Sequence, residues 1–193
     1  SRTNQIVEEI ANWASQGISY SEYYGLPNAH ENIQDSLGDE AKSMDLDGNL
    51  YTGYSFTSQA YLDYLILAGI KAVDAGVVYF TFDGAAQHLE TLSFDPATMS
   101  EFSSWLETEY SSQELSSMGI NAADVTSFNL ADYLKSADGG AYTNSTWGEG
   151  SGSVRDNPPT NSEIWEAWSL FVTKVERDFF ASWVSEIKGY AAG

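Results

Sequence analysis

The chain has 193 residues, of which 42% are apolar and 14% aromatic, so it is large enough to fold around a core. Its 28 acidic and 8 basic residues give a net charge of −20, which argues against binding to nucleic acid or to anionic membranes. It has no cysteine, which excludes disulfides and thiolate metal sites. It also has no run of about 18 apolar residues of the kind that inserts into a membrane.

The acidity has three specific interpretations besides a plain solvated surface: a salt-adapted (halophilic) protein, an exported acidic protein, or a cation binder. We expect an extracellular or cell-surface location, with the cytoplasm of a salt-adapted organism as the alternative. Ser1 opens directly into a helical pattern without a signal peptide, as in a processed or excised chain. Asn144 begins a glycosylation sequon, a triplet that often arises by chance.

In chain order, the first predicted elements are a helix at 3–16, a strand at 18–24 and a loop at 25–31. Asp45-Leu-Asp47-Gly48-Asn49 predicts a tight turn or hairpin. Residues 58–75 form a helix that is apolar around most of its circumference and ends at Gly76. Residues 77–82 are almost all β-branched or aromatic, which predicts a strand buried on both faces of a parallel sheet.

The second half of the chain is predicted to be helical. Asp95-Pro96 begins an amphipathic helix, and short helical pieces follow from residue 115 to 134 with a break at Gly119. Residues 138–160 predict a long flexible surface loop. A capping box, Thr160-Asn-Ser-Glu163, then opens the longest helix, which runs to about Lys188 before a loop leads toward a new strand.

This order of elements predicts an α/β fold with parallel strands and right-handed crossovers. Two strands are too few to cover so many long outer helices. We therefore expect residues 1–193 to form a single, partial domain, a section of a (β/α)8 barrel of the TIM type. The missing strands would come from the remainder of a larger chain or from another copy in a homo-oligomer.

Three segments carry a family resemblance: Asp47-Gly-Asn with Ser55-Phe-Thr-Ser-Gln-Ala-Tyr-Leu, then Ala68-Gly-Ile-Lys-Ala-Val-Asp-Ala-Gly-Val-Val-Tyr-Phe-Thr-Phe-Asp83, then Phe94-Asp-Pro-Ala-Thr-Met-Ser-Glu-Phe-Ser-Ser-Trp-Leu. Over roughly residues 45–190 the chain resembles the (β/α)8-barrel glycoside hydrolases, in particular the β-galactosidase-like and hypothetical glycosyl hydrolase families. The resemblance implies hydrolysis of O-glycosyl bonds. The chain departs from it at Asp83, which is followed by Gly84 where many members have a second acid.

Two carboxylates are the catalytic candidates. Asp83 follows the predicted strand 77–82, and catalytic groups of barrels lie at the carboxyl ends of strands. Glu22 has the same place in the strand at 18–24. Glycosidases use two carboxyl groups about 5–5.5 Å apart for retention or about 6.5–9.5 Å apart for inversion. The alternatives are an Asp-Gly turn at Asp83 and a solvated charge at Glu22.

Most candidates for substrate binding lie near these carboxylates in the sequence, and Trp147 lies in the loop at 138–160. Histidines in the loops suit proton transfer near neutral pH, and aromatic rings stack on sugars. Each of these side chains is otherwise explained by solvent exposure or by anchoring of a loop. The set is Tyr20, Asn28, His30, His88, Glu90 and Trp147.

Asp45, Asp47 and Asn49 offer oxygen ligands of the kind that calcium binds. The motif lacks the later glutamate of an EF-hand, and a simple turn is the favoured interpretation. We expect no cofactor, with calcium as the alternative.

Three hypotheses follow from the sequence. The first is a glycoside hydrolase-like enzyme that uses carboxylates at barrel strand ends and has carbohydrate as its partner. The second is a non-catalytic carbohydrate-binding or surface-assembly protein on a barrel-derived fold. The third is a calcium-stabilised exported module, which rests on charge and on the Asp45–Asn49 motif alone.

Overall fold

A computed structural model describes residues 37, 39–80, 93–136 and 161–193. Two short strands come first, β1 (Lys42–Met44) and β2 (Leu50–Tyr54). Five α-helices follow: α1 (Gln59–Asp74), α2 (Pro96–Glu109), α3 (Ser112–Ser117), α4 (Leu130–Ser136) and α5 (Ser162–Ala192). Single 3₁₀ turns, Asp39–Ala41 and Val125–Ser127, precede β1 and α4. Within these residues, no helix combines the length and the apolar character needed to cross a membrane.

Helix α5 is the element against which α1 and α2 pack. Its buried side chains recur every three or four residues, which places them in one stripe along the helix. Helix α2 lies against this stripe near its start, and α1 lies against it toward its end. The stripe consists of Ile164, Ala167, Trp168, Phe171, Val172, Val175, Phe179, Trp183 and Ile187.

Capping residues set the starts of the main helices. The Asp95 side chain accepts hydrogen bonds from the N–H groups of Ala97 and Thr98, with Pro96 as the first helical residue. The predicted start of α2 is therefore confirmed. Helix α5 is capped by Asn161, one residue later than the predicted Thr160. It also continues to Ala192, so the predicted loop after Lys188 is wrong.

The two glycine stops are confirmed. Gly76 follows α1 with φ +91°, and Gly119 follows α3 with φ +78°. Glycine adopts this left-handed conformation without the steric cost that a side chain would add.

The strands form an antiparallel hairpin, with Lys42 opposite Tyr54 and Met44 opposite Leu50. The turn between them covers the Asp-Gly motif, where Gly48 has φ +87°. The predicted hairpin is confirmed. Its antiparallel pairing differs from the parallel pairing of a TIM-type barrel.

The predicted section of a parallel-stranded TIM-type barrel is wrong. In the described part of the chain, the hairpin is the only sheet. Residues 77–80 are not in a strand, and the side chains of Val78 and Tyr79 are 96% and 80% exposed. Residues 81 and 82 of the predicted strand, and the whole predicted strand at 18–24, lie outside the described residues.

The physical reason is that β propensity reports how well a side chain packs on a sheet, and in the described part of the chain no strand lies beside residues 77–80. The helices that were expected to cover a sheet instead bury their apolar faces against α5. The predicted helix at 3–16 and the loop at 138–160 lie outside the described residues, and the extent of the domain stays a prediction.

Candidate functional site

The hairpin turn is organised by one buried carboxylate. The side chain of Asp45 is 6% exposed. Its Oδ1 accepts hydrogen bonds from the backbone N–H of Asp47 at 2.9 Å and of Asn49 at 2.8 Å. Its Oδ2 accepts from Nδ2 of Asn49 at 3.0 Å. The motif therefore stabilises its own turn, as asparagine and aspartate side chains commonly do.

Beside this turn lies an open pocket of about 370 Å³, which we call the hairpin pocket. One wall is the turn, a second is the first half of α2, and a third is the segment from the 3₁₀ turn to α4. The residues that line it are Met44, Asp45, Leu46, Asp47, Gly48, Phe94, Pro96, Met99, Ser100, Ser103, Thr126, Ser127, Phe128, Asn129, Ala131, Asp132 and Lys135.

The floor and the rim of the hairpin pocket differ in chemistry. The buried residues are mostly apolar and include Leu46, Phe94 and Met99. The exposed residues are mostly polar or charged, among them Ser100 and Asp132. An apolar floor under a polar rim is the usual composition of small-molecule sites.

A buried hydrogen-bond network fixes the first two walls to each other. Oδ2 of Asp95 accepts hydrogen bonds from Ser55 Oγ at 2.8 Å and from Thr98 Oγ1 at 2.5 Å. Ser93 Oγ accepts from the N–H of Met44 at 2.7 Å, and Phe94 N–H donates to the Met44 carbonyl at 2.9 Å. The hairpin is thereby held to the start of α2.

The third wall is positioned by Asn129 and Phe128. Oδ1 of Asn129 accepts a hydrogen bond from the N–H of Asp132 at 3.2 Å, in the first turn of α4. The half-buried ring of Phe128 lies 6.3 Å from the ring of Phe102 and 5.9 Å from that of Tyr133, centroid to centroid. These contacts hold the Phe128 ring at the pocket without covering it completely.

The charged groups of the hairpin pocket are mainly acidic. Asp45, Asp47 and Asp132 line it, against a single base, Lys135. The Lys135 ammonium lies 3.7 Å from the Asp132 carboxylate. Carboxylates of this kind accept hydrogen bonds from ligand hydroxyl groups, and their charge disfavours anions.

Most residues predicted from the sequence lie outside the described part of the chain. This holds for both catalytic candidates and for all the substrate-binding candidates, so their roles stay predictions. The outside set is Asp83, Glu22, Tyr20, Asn28, His30, His88, Glu90 and Trp147, together with the sequon at Asn144.

The calcium candidates are described. Asp45 and Asp47 line the hairpin pocket, and Asn49, which is not part of the lining, donates a hydrogen bond to Asp45. Among the described residues, no three His, Cys, Asp or Glu side chains group together as metal ligands. Calcium binding stays a prediction.

Sequence reasoning missed Ser100, Phe128, Asn129 and Asp132. None belongs to a motif with Asp45 or Asp47, from which they are separated by more than fifty residues. Only the packing of α2 and α4 beside the hairpin brings them to one place.

Comparison with known proteins gives one partial similarity. An alpha-agarase of Thalassotalea agarivorans, a glycoside hydrolase, is 30% identical to the chain over 79 residues. The matched part is 37% of this chain and 5% of the agarase, so the chain spans about 5% of the length of that relative. No family model matches the chain. No solved structure matches it.

Proposed function

We propose that the chain is a module of a carbohydrate-active protein and that it binds saccharide. The observation that carries this proposal is the similarity to an alpha-agarase, a protein whose name states action on agar. The chain matches a small part of that protein, which favours an accessory role over a complete enzyme. Its net charge of −20 also favours a neutral polymer over a polyanion as the partner.

The hairpin pocket supports binding more strongly than catalysis. Glycoside hydrolysis uses two carboxyl groups, one of which donates a proton to the leaving oxygen. Asp45 is the buried carboxylate of the pocket, and both its oxygens accept hydrogen bonds from the turn. Asp45 therefore holds the turn together, which is a structural role and supplies neither of the two carboxyl groups that hydrolysis needs.

Hydrolysis is the second candidate function, favoured by the activity named for the relative. If the chain hydrolyses glycosides, Asp83 and Glu22 are the carboxylates to test as catalytic groups. This proposal does not require a barrel fold. We also propose that the protein is extracellular or on the cell surface. It would act as part of a longer polypeptide or of a homo-oligomer.

The test is retention of the purified chain on agarose beads, with elution by soluble agarose oligosaccharides, alongside an assay for new reducing ends. We expect retention that the oligosaccharide reverses, and no release of reducing ends. Failure to bind agarose and a panel of other neutral polysaccharides would contradict the proposal. Turnover that disappears in Asp83→Asn or Glu22→Gln would instead establish hydrolysis.

A further inference from the structure

We infer that the hairpin pocket is a subsite for one neutral sugar unit, and that its carboxylates exclude acidic sugars. The inference rests on the proposed function, which concerns the chain as a whole. It adds the place of binding, the size of the unit bound and the basis of selectivity.

The volume limits the ligand. Ligand pockets in proteins typically measure about 300–1,000 Å³. The hairpin pocket, at about 370 Å³, lies near the lower end of that range. It has room for a small ligand such as one sugar ring, and the remainder of an oligosaccharide would extend through its open mouth into solvent.

The lining is suited to the two kinds of surface that a sugar ring presents. The C–H groups of a sugar face are apolar and pack against aromatic rings, and the Phe128 ring lines the pocket while it is held by Phe102 and Tyr133. The sugar hydroxyls meet exposed acceptors, the carboxylates of Asp47 and Asp132. Asn129 uses its side-chain oxygen to cap α4, which leaves its NH₂ group as a donor to the ligand.

The charges supply selectivity. The pocket has three carboxylates and one ammonium group, and that ammonium group lies beside Asp132. A uronate or sulfated sugar would place its negative charge among these carboxylates inside a chain of net charge −20. Like charges at short range are repulsive, and the repulsion weakens as salt screens it.

Two tryptophan substitutions test the location. Ser100 and Ser104 are both exposed on α2, one helical turn apart, and only Ser100 lines the pocket. We expect Ser100→Trp to fill the pocket and weaken binding of a neutral agarose oligosaccharide at least about ten-fold, since it blocks ring and hydroxyl contacts together. Ser104→Trp should stay within about two-fold of the parent. Calorimetric titration measures both, and thermal unfolding verifies that both variants fold.

The outcomes separate the two proposals. If the parent binds the oligosaccharide and Ser100→Trp binds it as tightly as Ser104→Trp does, the pocket is not the site, while the proposed function stands. If the parent binds no neutral saccharide, the proposed function fails and the inference fails with it.

Selectivity is tested with an alginate oligosaccharide of equal length at low salt. We expect the parent to bind it at least about ten-fold more weakly than the agarose oligosaccharide. The double variant Asp47→Asn with Asp132→Asn should narrow that difference, because amides keep the hydrogen bonding and remove the charge. Equal affinity of the parent for the two oligosaccharides would overturn the exclusion of acidic sugars.

Discussion

The two ends of helix α5 bury their apolar stripe in different ways. Toward its start, the stripe fills a dense aromatic core, in which Trp168 and Phe171 are fully buried. The Trp168 ring lies 5.0 Å from Phe102 edge to face and 5.7 Å from Phe94 in a stacked arrangement, centroid to centroid. Toward its end, burial depends on how closely the backbone of α1 approaches.

That close approach occurs at Gly69 of α1. A Cβ atom added there would lie 2.6 Å from Cδ1 of Ile187 and 2.9 Å from Cζ2 of Trp183. Trp183 is held in place because its Nε1 donates to the Leu65 carbonyl at 2.9 Å. The start of α5 is thus stabilised mainly by the volume of the side chains it buries. The end of α5 is stabilised because Gly69 of α1 has no side chain and lets the two helices pack closely. The two ends should respond to opposite kinds of substitution.

The largest expected effect is at the first end. Trp168→Ala removes a fully buried ring from the aromatic core and should lower the free energy of unfolding by about 3–5 kcal/mol. Urea unfolding followed by circular dichroism measures the change through the midpoint. Leu170→Ala is the matched control, because Leu170 is 53% exposed on the same helix and should cost about 0.5 kcal/mol or less. Equal costs at the two positions would refute the account of this end.

Trp168→Phe sharpens the same test. The indole Nε1 of Trp168 is buried and has no hydrogen-bond partner among the described residues. Phenylalanine keeps an aromatic ring and removes that unpaired donor, which by itself is costly to bury. We therefore expect Trp168→Phe to be much less destabilising than Trp168→Ala.

Local signals in the sequence predicted much of the helical structure. Asp95-Pro96 predicts a helix start from capping chemistry alone, and Gly76 predicts a helix end. The stripe of α5 follows from spacing. These features depend on residues within a few positions of each other, so the local sequence is sufficient to predict them.

The assembly of the elements could not be predicted in the same way. Residues 77–80 have the composition of a buried strand, but a strand requires a partner, and no partner in the described residues pairs with them. The barrel was predicted from that assignment together with the strand at 18–24, the alternating order of helices and strands, and the family resemblance. The hairpin pocket was missed for a related reason, since Asp47 and Asp132 are brought together only by the packing of α2 and α4.

A smaller effect is expected at the second end. Gly69→Ala should destabilise the protein by about 1–2 kcal/mol. Overpacking against the Trp183 ring outweighs the gain of about 1 kcal/mol in helix propensity. Gly189→Ala is the control, because Gly189 lies in α5 and, among the described residues, no atom beyond the adjacent turns of the helix lies within 4 Å of an added Cβ. It should stabilise by up to about 1 kcal/mol. The close-approach account fails if both substitutions stabilise in thermal or urea unfolding.

The smallest effect is expected in the middle of α5, at residues 174–178, which we call the junction between the two ends. There the pKa of Glu176 is raised and the pKa of Asp178 is lowered. Burial raises the pKa of Glu176 above its ordinary 4.5, and its Oε1 has no partner among the described residues. Ionised Glu176 therefore opposes folding, and its cost appears as the pH rises from 4.5 through the raised pKa. Hydrogen bonds from Lys174 and Arg177 lower the pKa of Asp178 below 3.8. Its contribution to stability is present above pH 3.8 and is lost as the pH falls through the lowered pKa.

Two amide substitutions separate these contributions. Glu176→Gln should raise the melting temperature at pH 7 and give little gain at pH values below 4.5. Asp178→Asn should lower it at pH 7, since the ion pairs with Lys174 at 3.0 Å and Arg177 at 2.8 Å are lost. Both changes should be about 0.5 kcal/mol or less, because the ion pairs are solvent-exposed and Glu176 is only partly buried. Melting curves from pH 3 to 8 measure both changes. If the two variants shift the melting temperature in the same direction at pH 7, the account is wrong that burial of Glu176 destabilises the protein while the ion pairs of Asp178 stabilise it.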